Sequence, residues 1–217
     1  ELVHGTVPSA IEVREAEVRF LAAPWTGQKT GAFLDQRPNR IIAAAFTRPA
    51  GTALDCFSYH GSFALHLARR AAHVTAVDAS GEALARGAEN AALNGLHNIE
   101  WTEGDAFEVL RGFERSRRRF DLVVVDPPAF AKTKAALPGA LRGYHEINLR
   151  AMRILAPGGV LVTASCSFHL HRTDFVKMLG AAAADSGRRL TLLAHLGQDV
   201  DLPEILTIPE TGYLKGA

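Results

Sequence analysis

From residue 52 onward the apolar positions fall into short unbroken runs separated by helix-length stretches. The runs cover residues 52–57, 73–78, 99–102, 120–126 and 160–165. They are continuous rather than alternating, the pattern of strands buried on both faces of a parallel sheet. The intervening stretches 62–71, 81–94, 106–113, 140–155 and 173–185 read as helices. Repeated strand–helix units predict a doubly wound α/β sheet with right-handed crossovers. Ahead of this alternation, residues 10–13 and 18–21 alternate enough to predict a hairpin. The turn-rich run Gly27-Gln28-Lys29-Thr30-Gly31 follows, then a helix over 39–47 that ends at Pro49-Ala50-Gly51. Residues 190–195 and 205–208 are the last strand candidates.

Composition adds bounds. The chain has 217 residues, 47% of them apolar, enough for one large domain or one domain with a small appendage. No apolar run approaches the eighteen or so residues a membrane span needs. Two cysteines make no disulfide framework, so a cytoplasmic location is expected. The chain opens on Glu1 without a leader and is expected to be part of a longer protein. A net charge of +1 speaks against bulk nucleic-acid binding by this piece alone. The cluster Arg115, Arg117, Arg118 and Arg119 is read as a solvated loop.

Candidate chemistry sits at the predicted strand ends. Ligands of such sheets bind beyond the carboxyl ends of the strands. The loop Asp55-Cys56-Phe57-Ser58-Tyr59-His60-Gly61-Ser62-Phe63 has one glycine and a carboxylate at its mouth. A pyrophosphate-binding loop wants three glycines; this one suits a cofactor with a cationic amine and no phosphate. Asp78 ends the next strand at the distance where ribose hydroxyls are held, and Asp105 with Ala106 can read an adenine edge. Each acid taken singly has a plainer role as a helix cap; three in register favour a site. Cys166 follows the run 160–165, and Asp126-Pro127-Pro128 follows the run before it. Adjacent tips would face a nucleophile toward an acid. The plainer role of Cys166 is a small buried hydrophobe, which its polar neighbours Ser165, Ser167 and His169 oppose. Cys56 is read as packing, and His169 with His171 lacks the further ligands a metal needs. Tyr144, His145 and Glu146 are read as surface or rim residues, and Phe130 as either a core aromatic or a stacking surface for a flipped base.

Taken together with the stretches from Gly27 to Arg37 and from Asp126 to Lys132, these residues resemble the class I S-adenosylmethionine-dependent methyltransferases. More narrowly, the chain is similar to the large-subunit ribosomal RNA 5-methylcytosine methyltransferases that carry an N-terminal PUA domain. The resemblance implies a Rossmann-like fold with a mostly parallel seven-stranded sheet and helices on both faces. It implies a catalytic domain over 31–217, with 1–30 as the tail of an upstream connecting domain. It implies S-adenosyl-L-methionine as cofactor, large-subunit rRNA as substrate, a PUA-type domain upstream and a homodimer. Asp55, Phe57, Ser58, Gly61, Ser62 and Phe63 would cradle the methionine part, Asp78 and Ala79 the ribose, Asp105 and Ala106 the adenine. Phe33, Asp35 and Arg37 would form a lid, and Asp126 would close the pocket. Bulky Tyr59 and His60 depart from the commoner loop.

C5 of cytosine is too poor a nucleophile to attack a methyl sulfonium directly. A thiolate adding at C6 makes C5 enamine-like, and an acid near N3 stabilises the adduct. Cys166 is the candidate nucleophile, Asp126 the acid, and Lys132 or His169 the group that helps the thiol ionise. Three rivals stand beside this reading, of which a nicotinamide dehydrogenase is disfavoured by the single-glycine loop. An exocyclic-amine methyltransferase would use Asp-Pro-Pro without a nucleophile, and a non-catalytic domain would keep only the fold.

Overall fold

The computed structural model describes residues 4–25, 27, 31–131 and 133–217, with the side chain of Glu210 left aside. Two strands, β1 (Ile11–Glu15) and β2 (Val18–Ala22), form the expected hairpin in antiparallel register. Helix α1 (Arg37–Phe46) carries Pro38 in its first turn, where a missing N–H costs nothing. Then come β3 (Thr52–Cys56), α2 (Ser62–Ala68), β4 (His73–Asp78), α3 (Gly81–Leu93), β5 (Ile99–Glu103), α4 (Ala106–Arg115), β6 (Phe120–Val125), α5 (Leu137–Arg153), β7 (Leu155–Ser165), α6 (Arg172–Ser186) and β8 (Lys215–Gly216).

Among the described residues the main sheet has six strands in the order β5-β4-β3-β6-β7-β8, parallel except for β8. This corrects the expected seven. Residues 190–195 form no strand, and 205–208 contribute only the isolated bridge between Ile205 and Ile208. Leu192, Leu193 and Leu206 lie exposed, with no strand alongside to supply partners. The sheet closes instead on the dipeptide Lys215-Gly216, which pairs with Ser165 and Ala164. Strand β7 also begins earlier than expected, taking in Pro157-Gly158-Gly159 across a register shift between Phe120 and Leu122.

The unbroken apolar runs now have their reason. On β3, Ala53 faces α1 and α2 while Leu54 and Cys56 face α4 and α5. On β6, Leu122 and Val124 take the first face, Val123 and Val125 the second. Both faces are covered, so both must be apolar. Residues 18–22 lie against this domain: Val18, Phe20 and Ala22 pack on Leu65 of α2 and Ala91 of α3.

A buried ion cluster ties the hairpin to the helices. Glu15 accepts from Arg40 Nε and Nη2, both at 2.6 Å, and meets His66 Nε2 at 2.9 Å. Its side chain and those of Arg40 and His66 are at most 6% exposed. Burial alone would raise the Glu15 carboxyl; the Arg40 and His66 hydrogen bonds outweigh it and hold it down at about 2. The arginine cluster is only partly solvated. Arg118 lies over the rings of Phe113 and Phe120, at 4.8 and 5.0 Å, and donates to Thr75 Oγ1 at 2.7 Å.

Candidate functional site

Because β3, β4, β5, β6 and β7 run parallel, their carboxyl ends share one edge. The loop after β3 is strained there: Phe57, Tyr59 and Gly61 take positive φ of 63°, 51° and 82°. Backbone bonds over-determine it. Ser58 N donates to Val77 O at 3.0 Å, Gly61 N to Ser58 O at 2.8 Å, and Tyr59 N to Asp78 Oδ2 at 2.8 Å. Gly61 is pressed on Trp101, where an added Cβ would lie 2.5 Å from Cη2. Gly61→Ala should therefore cost roughly 1–3 kcal/mol through strain and overlap. The check is urea unfolding; an unchanged midpoint would contradict the assigned role of this turn.

The bulky loop residues each pack against an aromatic ring. The Tyr59 ring meets Phe33 edge-on at 5.4 Å. His60 stacks on Phe20 at 5.2 Å and its carbonyl accepts from Asn90 Nδ2. Burial pushes His60 down to about 4, so it is neutral at physiological pH.

The acids divide into two kinds. Asp55 is 1% exposed, and its Oδ2 accepts from Ala64 N, in the first turn of α2, at 2.9 Å. Burial drives its carboxyl well up, against that N–H and with help from the charges of Asp126 and Asp78. Three carboxylates thus crowd one edge. Asp55 Oδ1 and Ser58 Oγ are buried without a hydrogen-bond partner among the described residues. Asp78 accepts from Tyr59 N and, through Oδ1, from Ser80 N at 2.9 Å; Ser80, not Asp78, caps α3. Asp105 is exposed and does cap α4, its Oδ1 accepting from Glu108 N at 3.1 Å. Ala79 leads into that Ser80 cap and Ala106 opens α4. Ser62 and Phe63 are buried in the first turn of α2, and Phe63 lies within the core under Arg40.

At the other end of the edge, β6 and β7 are neighbours with Val125 opposite Thr163. Continuing that register puts Cys166 two positions beyond Asp126, ~7 Å along and ~5 Å across. Cys166 lines a cleft of about 550 Å³ with Leu34, Asp35, Ala129 and Tyr213. Gln36 Nε2 donates to Asp126 Oδ1 at 2.8 Å, and Asn39 donates to Gln36 Oε1 at 2.6 Å. Ser167 Oγ accepts from Ala131 N and meets Tyr144 OH at 2.9 Å, which stitches the loop after Asp126 to the chain after Cys166. The expectation of Tyr144 as a rim residue is therefore corrected: it is fully buried, and only its helix position suggested a surface. Phe130 packs on Tyr144 with ring centroids 4.6 Å apart. His145 pairs with Asp185, and Glu146 with Arg150.

Lys132 lies outside the described residues, as do Gln28, Lys29 and Thr30. His169 sets its ring against Phe168. Arg37 is engaged with Asp199 at 2.5 Å and Asp201 at 3.3 Å, and Asp35 accepts from Tyr213 OH at 2.7 Å. Cys56 is fully buried, and burial pushes its thiol far up. Sequence reasoning gave Gln36 no role of its own and missed Tyr213 and Lys215. Lys215 is 3% exposed, and its Nζ donates to Ser167 O at 2.6 Å and Tyr213 O at 2.7 Å. A lysine in a two-residue strand leaves no periodic signal to read.

Comparison with known proteins bears on this edge. The family profile of S-adenosylmethionine-dependent methyltransferases matches residues 1–207. The ribosomal RNA large subunit methyltransferase I of Aeromonas salmonicida is 42% identical over 219 aligned residues, covering 99% of this chain and 55% of that protein. Its namesake in Shewanella denitrificans is 40% identical over the same span. The chain thus spans about half the length of these curated relatives. Among solved structures, a candidate SAM-dependent methyltransferase from Streptococcus mutans superposes with a TM-score of 0.88 at 22% identity, covering 99% of this chain and 56% of that one. A Pyrococcus abyssi tRNA (uracil-54, C5)-methyltransferase, bound to S-adenosyl-L-homocysteine, gives 0.60 at 19% identity over 96% of this chain and 43% of that one. At such identities the structures attest the fold.

Proposed function

Since the chain belongs to the family of S-adenosylmethionine-dependent methyltransferases, we propose that it methylates C5 of a cytosine in large-subunit ribosomal RNA, with Cys166 as nucleophile and Asp126 as acid. The observation that carries this reading is a partly exposed, cleft-lining Cys166 just past β7, beside the Asp126 that follows the neighbouring strand β6.

The residues present fit the cofactor. S-adenosylmethionine bears an ammonium and a sulfonium; Asp78 and Asp126 lie close enough to help push the buried Asp55 carboxyl up, and a bound cation there would favour its ionised form. The buried Asp55 Oδ1 and Ser58 Oγ offer acceptors at the loop. Each Asp78 oxygen has a lone pair beyond the backbone N–H it accepts, which suits ribose hydroxyls. When bound, the cofactor supplies a methyl group on a positively charged sulfur.

Cys166 adds to C6 of the flipped base, its sulfur electrons forming the S–C6 bond while the ring electrons move toward C5 and N3. Asp126, held through Oδ1 by Gln36 and acting in its protonated form, donates from Oδ2 to N3 as negative charge develops there. After C5 is methylated, a base removes the C5 proton, and the freed electron pair re-forms the C5–C6 double bond, breaks the C6–S bond, releases the thiolate and restores the aromatic ring. The loop after Asp126 and the chain after Cys166 stay in mutual register through Ser167 and Tyr144.

The relatives are longer than the span they share with this chain, and for the whole protein we propose an upstream connecting domain and PUA-type RNA-binding domain in a cytoplasmic homodimer. Among the described residues no helix is long and apolar enough to cross a membrane. The test is mass spectrometry of rRNA nucleosides from cells with and without the full-length gene product. Loss of one 5-methylcytidine from large-subunit rRNA is expected on deletion. An unchanged 5-methylcytidine content, or loss of an N-methylated purine instead, would refute the C5 assignment.

A further inference from the structure

We infer that Lys215 is the positioning residue of Cys166, clamping the backbone around the sulfur and placing a buried ammonium beside it. The inference rests on the reading of Cys166 as nucleophile.

Three observations converge. First, Lys215 is paired across the sheet with Ser165, immediately before Cys166. Second, its Nζ donates to the carbonyl of Ser167, immediately after Cys166, at 2.6 Å, and to Tyr213 O at 2.7 Å. The residue thus holds the chain on both sides of the sulfur. An ammonium has three donors, and two are committed to these carbonyls. Third, Tyr213 lines the same cleft as Cys166. Its hydroxyl is pushed up by burial, by its bond to Asp35 and by the charge of Cys166. The sulfur is therefore electrostatically coupled to both residues of this terminal segment.

The groups facing Lys215 can be named. Burial pushes its ammonium down to about 8, the Cys166 charge pulls it back up, and Arg172 of α6 pushes it down. Arg172 itself donates to Leu196 O at 2.9 Å. At neutral pH the lysine is therefore still mostly charged. A thiol that loses its proton to solvent through the open cleft leaves a thiolate facing this cation, which is the arrangement that makes a cysteine reactive. The lysine keeps its own proton, so the pair is an ion pair and not a proton relay. Sequence reasoning had looked to Lys132 or His169 for this help.

The experiment is the pH dependence of Cys166 alkylation by iodoacetamide in the full-length protein. Cys56 does not interfere, being fully buried, and a Cys56→Ala background confirms the assignment. Lys215→Met keeps an unbranched apolar stem and the strand pairing while deleting the charge. Its alkylation midpoint should rise by about one pH unit or more, with a rate at pH 7 lower by roughly tenfold. Lys215→Arg should recover part of the shift. An unchanged midpoint in a folded Lys215→Met protein overturns the inference.

If Lys215→Met does not fold, the same coupling is read from the other side. Titration of the buried amine by lysine-selective carbon-13 NMR should give a lower value in Cys166→Ala than in the parent. Equal values in the two overturn the inference. The outcome separates from the rRNA reading, because thiol ionisation is measured without methyl transfer. A shifted thiol together with full methylation by Cys166→Ala would retain the coupling and reject the nucleophile.

Discussion

Cys166→Ala is expected to abolish methyl transfer, lowering kcat on the order of 10³-fold or more. Affinity for the cofactor should hardly change, because Asp55, Asp78 and the 57–61 loop lie on other strand tips and need nothing from the sulfur. The contrast between a lost rate and a retained affinity is the informative part. A protein that fails to fold loses both. An enzyme that methylates an exocyclic amine through Asp126-Pro127-Pro128 alone keeps both, since an amine nitrogen attacks the methyl group without prior activation. RNA carrying 5-fluorocytidine at the target gives an independent readout. Fluorine cannot leave as a proton does, so wild-type protein should accumulate a covalent complex on denaturing gels and Cys166→Ala should not. Retention of more than about a third of the wild-type rate by the folded variant would end the covalent proposal.

Glu15→Gln is expected to be the most destabilising single change, at roughly 3–5 kcal/mol. It leaves Arg40 and its charge almost fully buried without a carboxylate. In a domain of this size such a loss lowers Tm by about 10 °C or more. The double substitution Glu15→Met with Arg40→Met should cost less than either alone, because it removes both charges rather than stranding one. The pH dependence has a definite sign. Glu15 is held down at about 2 in the fold, against an ordinary value of 4.5. Its contribution is therefore complete above about pH 4.5 and fades as pH falls toward 2. The stability gap between wild type and Glu15→Gln, measured by urea unfolding, should close over that interval. A gap that stays constant down to pH 2.5 would show that the cost came from packing alone.

These two predictions differ in how visible their residues were beforehand. Cys166 and Asp126 could be picked out because the runs preceding them are continuous and apolar. Such runs lie between two helix layers, and parallel strands place successive tips on one edge. Asp55 and Asp78 followed from the same argument. Asp105 was picked out by it too, although a helix cap and a ligand-binding acid occupy the same position; the cap is formed here. Glu15, Arg40 and His66 gave no local sign of their pairing. They are 25 and 51 positions apart along the chain, and charged residues are surface residues by default.

The order of strands and helices, the parallel character of the sheet and the concentration of acids at its carboxyl edge were set by the amino-acid sequence itself. All three arise from periodicities and strand-end positions that each segment carries alone. The six-strand count, the burial of Tyr144 and the place of Lys215 beside Cys166 were decided only in the folded chain. Each depends on what a distant segment brings: the short strand at Lys215–Gly216 exists because β7 has an open edge to pair with. A two-residue strand and a buried lysine have no pattern of their own, and hydrogen bonds to Ser167 and Tyr213 give the ammonium its place.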